Sequence, residues 1–145
     1  MNPTIEKFGY PATLIGETAH WIVLLRPAQV TLGSLVIAAK SNATAFGSLP
    51  AAFHADLAEV TRRAEAMLAR AVDYERMNWL MLMMVDPHVH FHVLPRHEGL
   101  REHNGLAIAD AGWPGPPDLK SAIALVDEQT NELRDWLSGL WIATA

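Results

Sequence analysis

The chain has 145 residues with a formal net charge of −5, and 50% of its residues are hydrophobic. This is the length of one ordinary domain with enough apolar residues for a real core, which excludes a chain that is disordered throughout. Cysteine is absent, and this excludes a disulfide scaffold, a thiol nucleophile and a cysteine-rich zinc site. With 11 basic against 16 acidic residues, we expect no nucleic-acid binding through a basic surface.

No segment has the pattern of a leader or of a membrane span. Residues 1–18 lack the basic-then-apolar order of a signal peptide. The longest apolar run, residues 79–85, is far shorter than the roughly 20 residues that cross a bilayer. We therefore expect a soluble protein in the cytoplasm, with no membrane partner.

The first half of the chain predicts a hairpin followed by a long helix. The residues before Glu17 are rich in proline and glycine, which indicates an irregular arm with a short strand near Thr13. Residues 20–25 and 34–39 are rich in β-branched and aliphatic residues and predict two antiparallel strands. Apolar residues then recur at steps of three and four over residues 53–72, which predicts an amphipathic helix that begins near Pro50.

The second half predicts a further hairpin, a long connection and a last helix. Residues 79–85 are apolar on both faces, so they predict a fully buried central strand. After a turn at Asp86-Pro87, residues 88–94 predict the strand that pairs with it. Residues 98–117 are rich in glycine and proline, and a connection of this length is usually functional or interfacial. The last helix is predicted from Asp118, with an apolar seam that packs on the sheet or pairs with a second chain.

The run His88-Val-His-Phe-His92 is the strongest functional signal in the sequence. Side chains alternate between the two faces of a strand, so the three imidazoles share one face and the apolar residues between them share the other. Such a row of histidines has three interpretations. The side chains are exposed to solvent and have no function, or they bind a metal ion, or they catalyse a reaction of a phosphate group.

The metal interpretation needs a ligand from outside the run. His88 and His92 are about 13 Å apart along a strand, which is too far for both to bind one zinc ion, so His97 or His103 would have to contribute. Phosphate chemistry needs no further ligand, because a neutral imidazole attacks phosphorus as a nucleophile and its neighbours donate hydrogen bonds to the phosphoryl oxygens.

The run from His88 to Arg96 resembles the signature of the histidine triad (HIT) superfamily, His-φ-His-φ-His-φ-φ, where φ is hydrophobic. Pro27, Gly33 and Lys40 are similar to landmarks of that family's first hairpin. The similarity covers residues 21–96, and the later Trp-Pro-Gly-Pro-Pro stretch resembles a bacterial diadenosine tetraphosphate hydrolase-like subgroup. The resemblance implies an α+β fold with an antiparallel sheet of about five strands, one long helix and a C-terminal helix. It implies one domain over residues 1–145, with its core at 17–97 and a C-terminal loop and helix at 98–145.

The resemblance also implies a reaction. His90 matches the nucleophile that forms a nucleotidyl-histidine with the α-phosphate of a nucleotide conjugate, and His88 and His92 match the residues that orient it and contact the leaving group. Water then releases a nucleoside monophosphate, with no metal or other cofactor in the covalent step. The chain is thus expected to be a hydrolase or nucleotidyl transferase that acts on a dinucleoside polyphosphate or a nucleoside phosphoramidate, and a homodimer.

Some expected nucleotide contacts are present and others are replaced. The candidate nucleotide-binding residues are Asn78, Lys40, Asn42 and Arg96. Leu24 replaces a ribose-binding aspartate of the family, Leu82 its second asparagine, and Met83-Met84 its Gly-Gln pair. Because these donors are missing, a non-catalytic nucleotide-binding or partner-binding module stays open as an alternative, and a metalloenzyme as a third.

Overall fold

A computed structural model describes all of residues 1–145. The strands are β1 (Leu14–Glu17), β2 (Trp21–Leu25), β3 (Ala28–Gln29), β4 (Leu35–Ala39), β5 (Arg76–Leu80), β6 (His90–Arg96), β7 (Leu100–His103), β8 (Leu106–Ala109) and β9 (Ile123–Ala124). The helices are α1 (Pro3–Lys7), α2 (Ala51–Val72) and α3 (Asp127–Ile142). Five strands form an antiparallel sheet in the order β1-β2-β4-β6-β5, while β3–β9 and β7–β8 form separate pairs. The predicted α+β class and the five-stranded sheet are confirmed.

One face of the sheet, the helical face, packs against α2 and α3 and holds the larger core. Its cluster has 20 buried residues. The predicted stripe of α2 supplies Val60, Ala64, Met67 and Leu68 to it, so the helix prediction from apolar spacing is confirmed. Pro50 stands at the N-cap of α2, one position before the N1 site that proline prefers, and no side-chain hydrogen bond caps this helix.

The opposite face, the histidine face, is covered by the start of the chain. Ile5 of α1 packs with Ile22 and Leu24 of β2 and with two residues of β4 in a cluster of five buried residues. Asn2 caps α1, because its Oδ1 accepts from the backbone N–H of Ile5 at 2.9 Å. We call residues 2–10 the N-terminal segment. The sequence predicted only an irregular arm here.

The predicted central strand at residues 79–85 is wrong in both place and burial. The observed strand β5 covers Arg76–Leu80, lies at the sheet edge and pairs only with β6. The residues that follow form a loop in which Met84 and Val85 are 84% and 82% exposed. A short apolar run does not by itself distinguish a buried strand from an exposed loop, because it carries no periodicity.

Three other predicted elements differ from the observed ones in their boundaries or content. Strand β6 begins at His90, so His88 lies in the loop before it. The predicted long connection over residues 98–117 contains the β7–β8 hairpin. Helix α3 begins at Asp127, because the Asp118 carboxylate accepts from Lys120 N and Ser121 Oγ and closes a short 3₁₀ turn instead. None of the three helices is both long and apolar enough to span a membrane.

Candidate active site

The register of β6 directs two of the three histidines to the histidine face. His90 pairs with Ala38 and His92 with Val36, and both partners belong to the cluster beneath the N-terminal segment. His88 joins them from the preceding loop, where its Nδ1 lies 2.8 Å from Thr4 Oγ1 of α1. The structure thus brings the predicted triad together on one side of the sheet, although only His90 and His92 lie on the strand.

His90 is held with one ring nitrogen bonded and the other free. Its Nδ1 lies 2.7 Å from the backbone oxygen of His88. A carbonyl oxygen only accepts, so Nδ1 carries the proton. The neutral ring therefore has its lone pair on Nε2, which is buried and has no hydrogen-bond partner. A buried acceptor left unsatisfied is unfavourable for folding and needs an explanation.

His92 is held in the opposite tautomer. Its Nδ1 accepts from Arg26 Nε at 3.2 Å, and a guanidinium has no acceptor, so the proton of the neutral ring is on Nε2. Burial lowers the pKa of His92 to about 4, Arg26 and His90 act in the same direction, and Asp86 opposes them. At neutral pH the ring is therefore uncharged and its Nε2–H is a donor.

Arg26 was not predicted as a site residue. It follows β2 directly and lies two positions after Leu24, whose side chain packs on the histidine face. Strand alternation places position 26 on that same face. The two-residue spacing from Leu24 is the sequence signal that places Arg26 on the histidine face. This signal points to the triad only when β2 and β6 are known to lie in one sheet with β4 between them.

The N-terminal segment covers the triad. The Phe8 ring centroid is 5.6 Å from the ring centroids of both His90 and His92. Lys7 Nζ forms an ion pair with Asp86 at 2.7 Å, and Asn2 Nδ2 donates to the backbone of the loop after β4 at 2.8 Å. His90 is 0% exposed as a result. No cleft opens onto its Nε2 in this conformation.

Two predicted nucleotide contacts lie in a cleft beside this segment. The cleft has a volume of about 370 Å³ and is lined by Met1, Asn2, Ile5, Lys40, Ser41 and Asn42. Lys40 Nζ is paired with Glu17 Oε1 at 2.8 Å. Lys40 and Asn42 are thus brought together, but none of the three triad histidines lines the same cleft.

The other two predicted nucleotide contacts are engaged inside the protein. Arg96 is buried and donates to Asp110 Oδ2 at 2.7 Å, Asn78 Oδ1 at 2.8 Å and Gly115 O at 2.9 Å. Burial raises the pKa of Asp110, but hydrogen bonds from Arg96 and the His97 backbone outweigh it, so that the pKa lies below its ordinary value. All three guanidinium nitrogens of Arg96 donate to protein acceptors, and Asn78 is one of these partners. The structure therefore places both residues in an internal hydrogen-bond network, and their predicted contact with a nucleotide stays a prediction.

The two loop histidines that were candidates for a metal site lie elsewhere. His103 stacks on Trp136 with ring centroids 3.8 Å apart. His97 is buried, with its Nδ1 3.1 Å from Gly99 O. No group of three or more histidine, cysteine, aspartate or glutamate side chains is arranged to hold a metal ion.

No family model and no curated protein sequence matches the chain, but solved structures share its fold. A histidine triad protein from Marinobacter aquaeolei is 22% identical, with a TM-score of 0.73 over 97% of this chain and 96% of that one. A hypothetical histidine triad nucleotide-binding protein from Sulfolobus tokodaii is 17% identical, with a TM-score of 0.70 over 97% and 90%. The NitFhit protein of C. elegans is 22% identical, with a TM-score of 0.66 over 89% of this chain and 27% of that one. The chain therefore has the fold of the histidine triad superfamily and presents the histidine run on the strand β6 and the loop before it.

Proposed function

We propose that the chain is a nucleotidyl hydrolase or transferase in which His90 Nε2 attacks the α-phosphate of a nucleotide conjugate. The observation that carries this proposal is the hydrogen bond from His90 Nδ1 to the His88 backbone oxygen at 2.7 Å. It leaves the lone pair of the neutral ring on Nε2, the one nitrogen of His90 that has no protein partner. A nucleophile held in the reactive tautomer explains this otherwise unfavourable buried atom. His97 has the same pattern of bonds, but only His90 lies next to the donor ring of His92, with the two ring centroids 5.1 Å apart.

The reaction balances with the groups at the site. The Nε2 lone pair forms a bond to the α-phosphorus while the bond from phosphorus to the leaving oxygen or nitrogen breaks. The Nε2–H of His92 donates to the developing charge on the phosphoryl or leaving group. Water, or an acceptor hydroxyl in a transferase, then attacks the same phosphorus, the bond from phosphorus to Nε2 breaks, and the proton of the attacking O–H passes to solvent. Water gives the nucleoside monophosphate, an acceptor hydroxyl gives the nucleotidylated acceptor, and Nε2 regains its lone pair in both cases.

This chemistry requires the N-terminal segment to move. Phe8 and α1 lie where a phosphate must approach His90. The cleft that contains Lys40 and Asn42 shares Asn2 and Ile5 with this segment, so displacement of the segment joins that cleft to the triad. We propose that Lys40 and Asn42 then contact the nucleotide.

A substrate screen with a matched pair of variants tests the function. Diadenosine tetraphosphate and adenosine phosphoramidate are each incubated with wild type, His90→Asn and His97→Asn, and products are separated by chromatography. His97 is the matched control, because it too is buried with its Nδ1 on a carbonyl oxygen and its Nε2 without a partner. Turnover that is lost in His90→Asn and kept in His97→Asn supports the proposal. Equal turnover in wild type and His90→Asn would remove it.

The second candidate is a non-catalytic module that binds a nucleotide or a partner. The specific observation in its favour is the complete burial of His90 beneath Phe8. Isothermal titration with adenosine monophosphate discriminates between the two candidates. Binding by wild type that is accompanied by no turnover of either substrate favours the module.

We further propose that the functional unit is a homodimer built on the free edge of β5. This strand pairs with β6 on one side only, and the loop after it exposes Leu82, Met84 and Val85. An unpaired edge and adjacent exposed apolar side chains are features that a second chain covers. Light scattering should give twice the chain mass for wild type and the chain mass for Met84→Asp. A monomeric wild type at micromolar concentration would contradict the dimer.

A further inference from the structure

Arg26 brings a positive charge to the triad without a carboxylate to balance it. Its Nε donates to His92 Nδ1 at 3.2 Å, and its Nη1 donates to the backbone oxygen of Ala28. The ion pairs of the chain involve Lys7, Lys40, Arg62, Arg96 and Arg134, and none involves Arg26. A half-buried cation with no counterion is unfavourable, so an anion bound beside Arg26 would be stabilised.

We propose that Arg26 has two roles in the transfer at His90: it positions His92 as an Nε2–H donor, and it binds the anionic phosphate group, so that the site prefers a phosphorylated ligand to an uncharged nucleoside. This inference rests on the proposed function.

The geometry of the pair fixes what His92 does. As long as Arg26 donates to Nδ1, a proton cannot occupy that nitrogen without breaking the contact. Protonation of both ring nitrogens would in addition place two cations side by side. The only remaining role for His92 is donation from Nε2. Since the ring centroids of His90 and His92 are 5.1 Å apart, this donor is next to the proposed nucleophile.

Other charged groups around His92 do not replace Arg26. Asp86, in the loop before β6, acts on His92 in the opposite direction and is paired with Lys7 of α1. His90 lies beside His92 on the same strand, and the N-terminal segment faces it with Phe8. Arg26 is thus the one cation of this neighbourhood that has no anionic partner.

The free end of the guanidinium is the part that would contact an anion. Nε and Nη1 are used within the protein, whereas Nη2 donates to no protein acceptor. Guanidinium N–H groups bind phosphate oxygens in charge-assisted hydrogen bonds. A phosphate at His90 would therefore supply the missing counterion, which a nucleoside without phosphate cannot do.

Nitrogen NMR tests the positioning role without any turnover. The tautomer and pKa of His92 are measured in wild type, Arg26→Met and Arg26→Lys. Arg26→Met removes both the donor and the charge, so the Nδ1–H tautomer should appear and the pKa of His92 should rise. Arg26→Lys keeps a charge but not the planar fork, so the pKa should stay low while the tautomer becomes mixed. An unchanged tautomer and pKa in Arg26→Met would overturn the proposal.

Titration with adenosine monophosphate and with adenosine tests the selectivity. Arg26→Met should weaken binding of the monophosphate by about tenfold or more, as expected for a lost charge-assisted hydrogen bond, and leave adenosine binding unchanged. Arg63→Met is the matched control, because Arg63 is also half-buried but stacks on Trp141 among the helices. An equal loss for both ligands would overturn the assignment. The two proposals fail in different experiments. If the proposed function is wrong, wild type shows no turnover of either substrate, whereas the NMR and binding results for Arg26 do not depend on turnover.

Discussion

The two faces of the central sheet differ in what holds them together. The helical face buries a continuous cluster of 20 residues against α2 and α3. The histidine face has a cluster of only five buried residues. The N-terminal segment is attached there through Ile5 and Phe8 and through single polar contacts to the rest of the chain, at His88, Asp86 and Ser41. Alternation along β6 gives Val93 to the first face and His90 and His92 to the second. Stability is thus concentrated on one side, and the reactive groups lie on the side whose cover is easier to displace.

The largest effect on stability is expected from a core deletion on the helical face. Leu68→Ala removes a fully buried side chain of α2 and should lower the free energy of unfolding by about 2–5 kcal/mol. Ile5→Ala, on the N-terminal segment, should have a smaller effect on global unfolding, because the segment can separate while the sheet stays folded. Urea denaturation measures both. Equal losses would show that the two faces are not energetically distinct.

Acid should weaken the histidine face first. The pKa of His92 is about 4 in the folded chain and 6.5 in the unfolded one, so the unfolded state binds the extra proton between these values. The contribution of the neutral His92 ring to the free energy of unfolding is complete above pH 6.5 and is lost as the pH falls towards 4. The loss has an upper limit of about 3 kcal/mol. Denaturation at pH 7, 5.5 and 4.5 should show a shallower decline for His92→Asn than for wild type. Parallel declines would contradict the assignment to His92.

A smaller effect is expected from a substitution that weakens the packing of the N-terminal segment over the triad. Phe8→Ala removes the ring that contacts both His90 and His92. Backbone amide exchange should accelerate in the N-terminal segment and stay unchanged in α2, and turnover should rise several-fold if opening limits the rate. Slower turnover in this variant would indicate that Phe8 contacts the substrate rather than covering the site.

The difference between the faces also explains what the sequence could predict. Helix α2 was found because its apolar stripe repeats every three or four residues, and the histidine run was found because its residue type and spacing are unusual. Helix α1 was missed, since five residues are too few to show periodicity. The N-terminal segment over His90 and the contact between Arg26 and His92 both join residues that are far apart in the sequence. Local sequence patterns do not show which of these distant segments become neighbours in the fold. The ion pair of Arg96 was not predicted, because its partner Asp110 is 14 residues away, directly after the β7–β8 hairpin.

The most direct test of the central claim is to trap the covalent intermediate. Wild type is mixed with adenosine phosphoramidate, quenched within seconds, digested and mapped by tandem mass spectrometry. We expect an adenylyl group on His90, none on His97, and none anywhere in the His90→Asn variant. Adenylylation of another residue, or turnover of the substrate with no adduct on His90 at any quench time, would contradict the account.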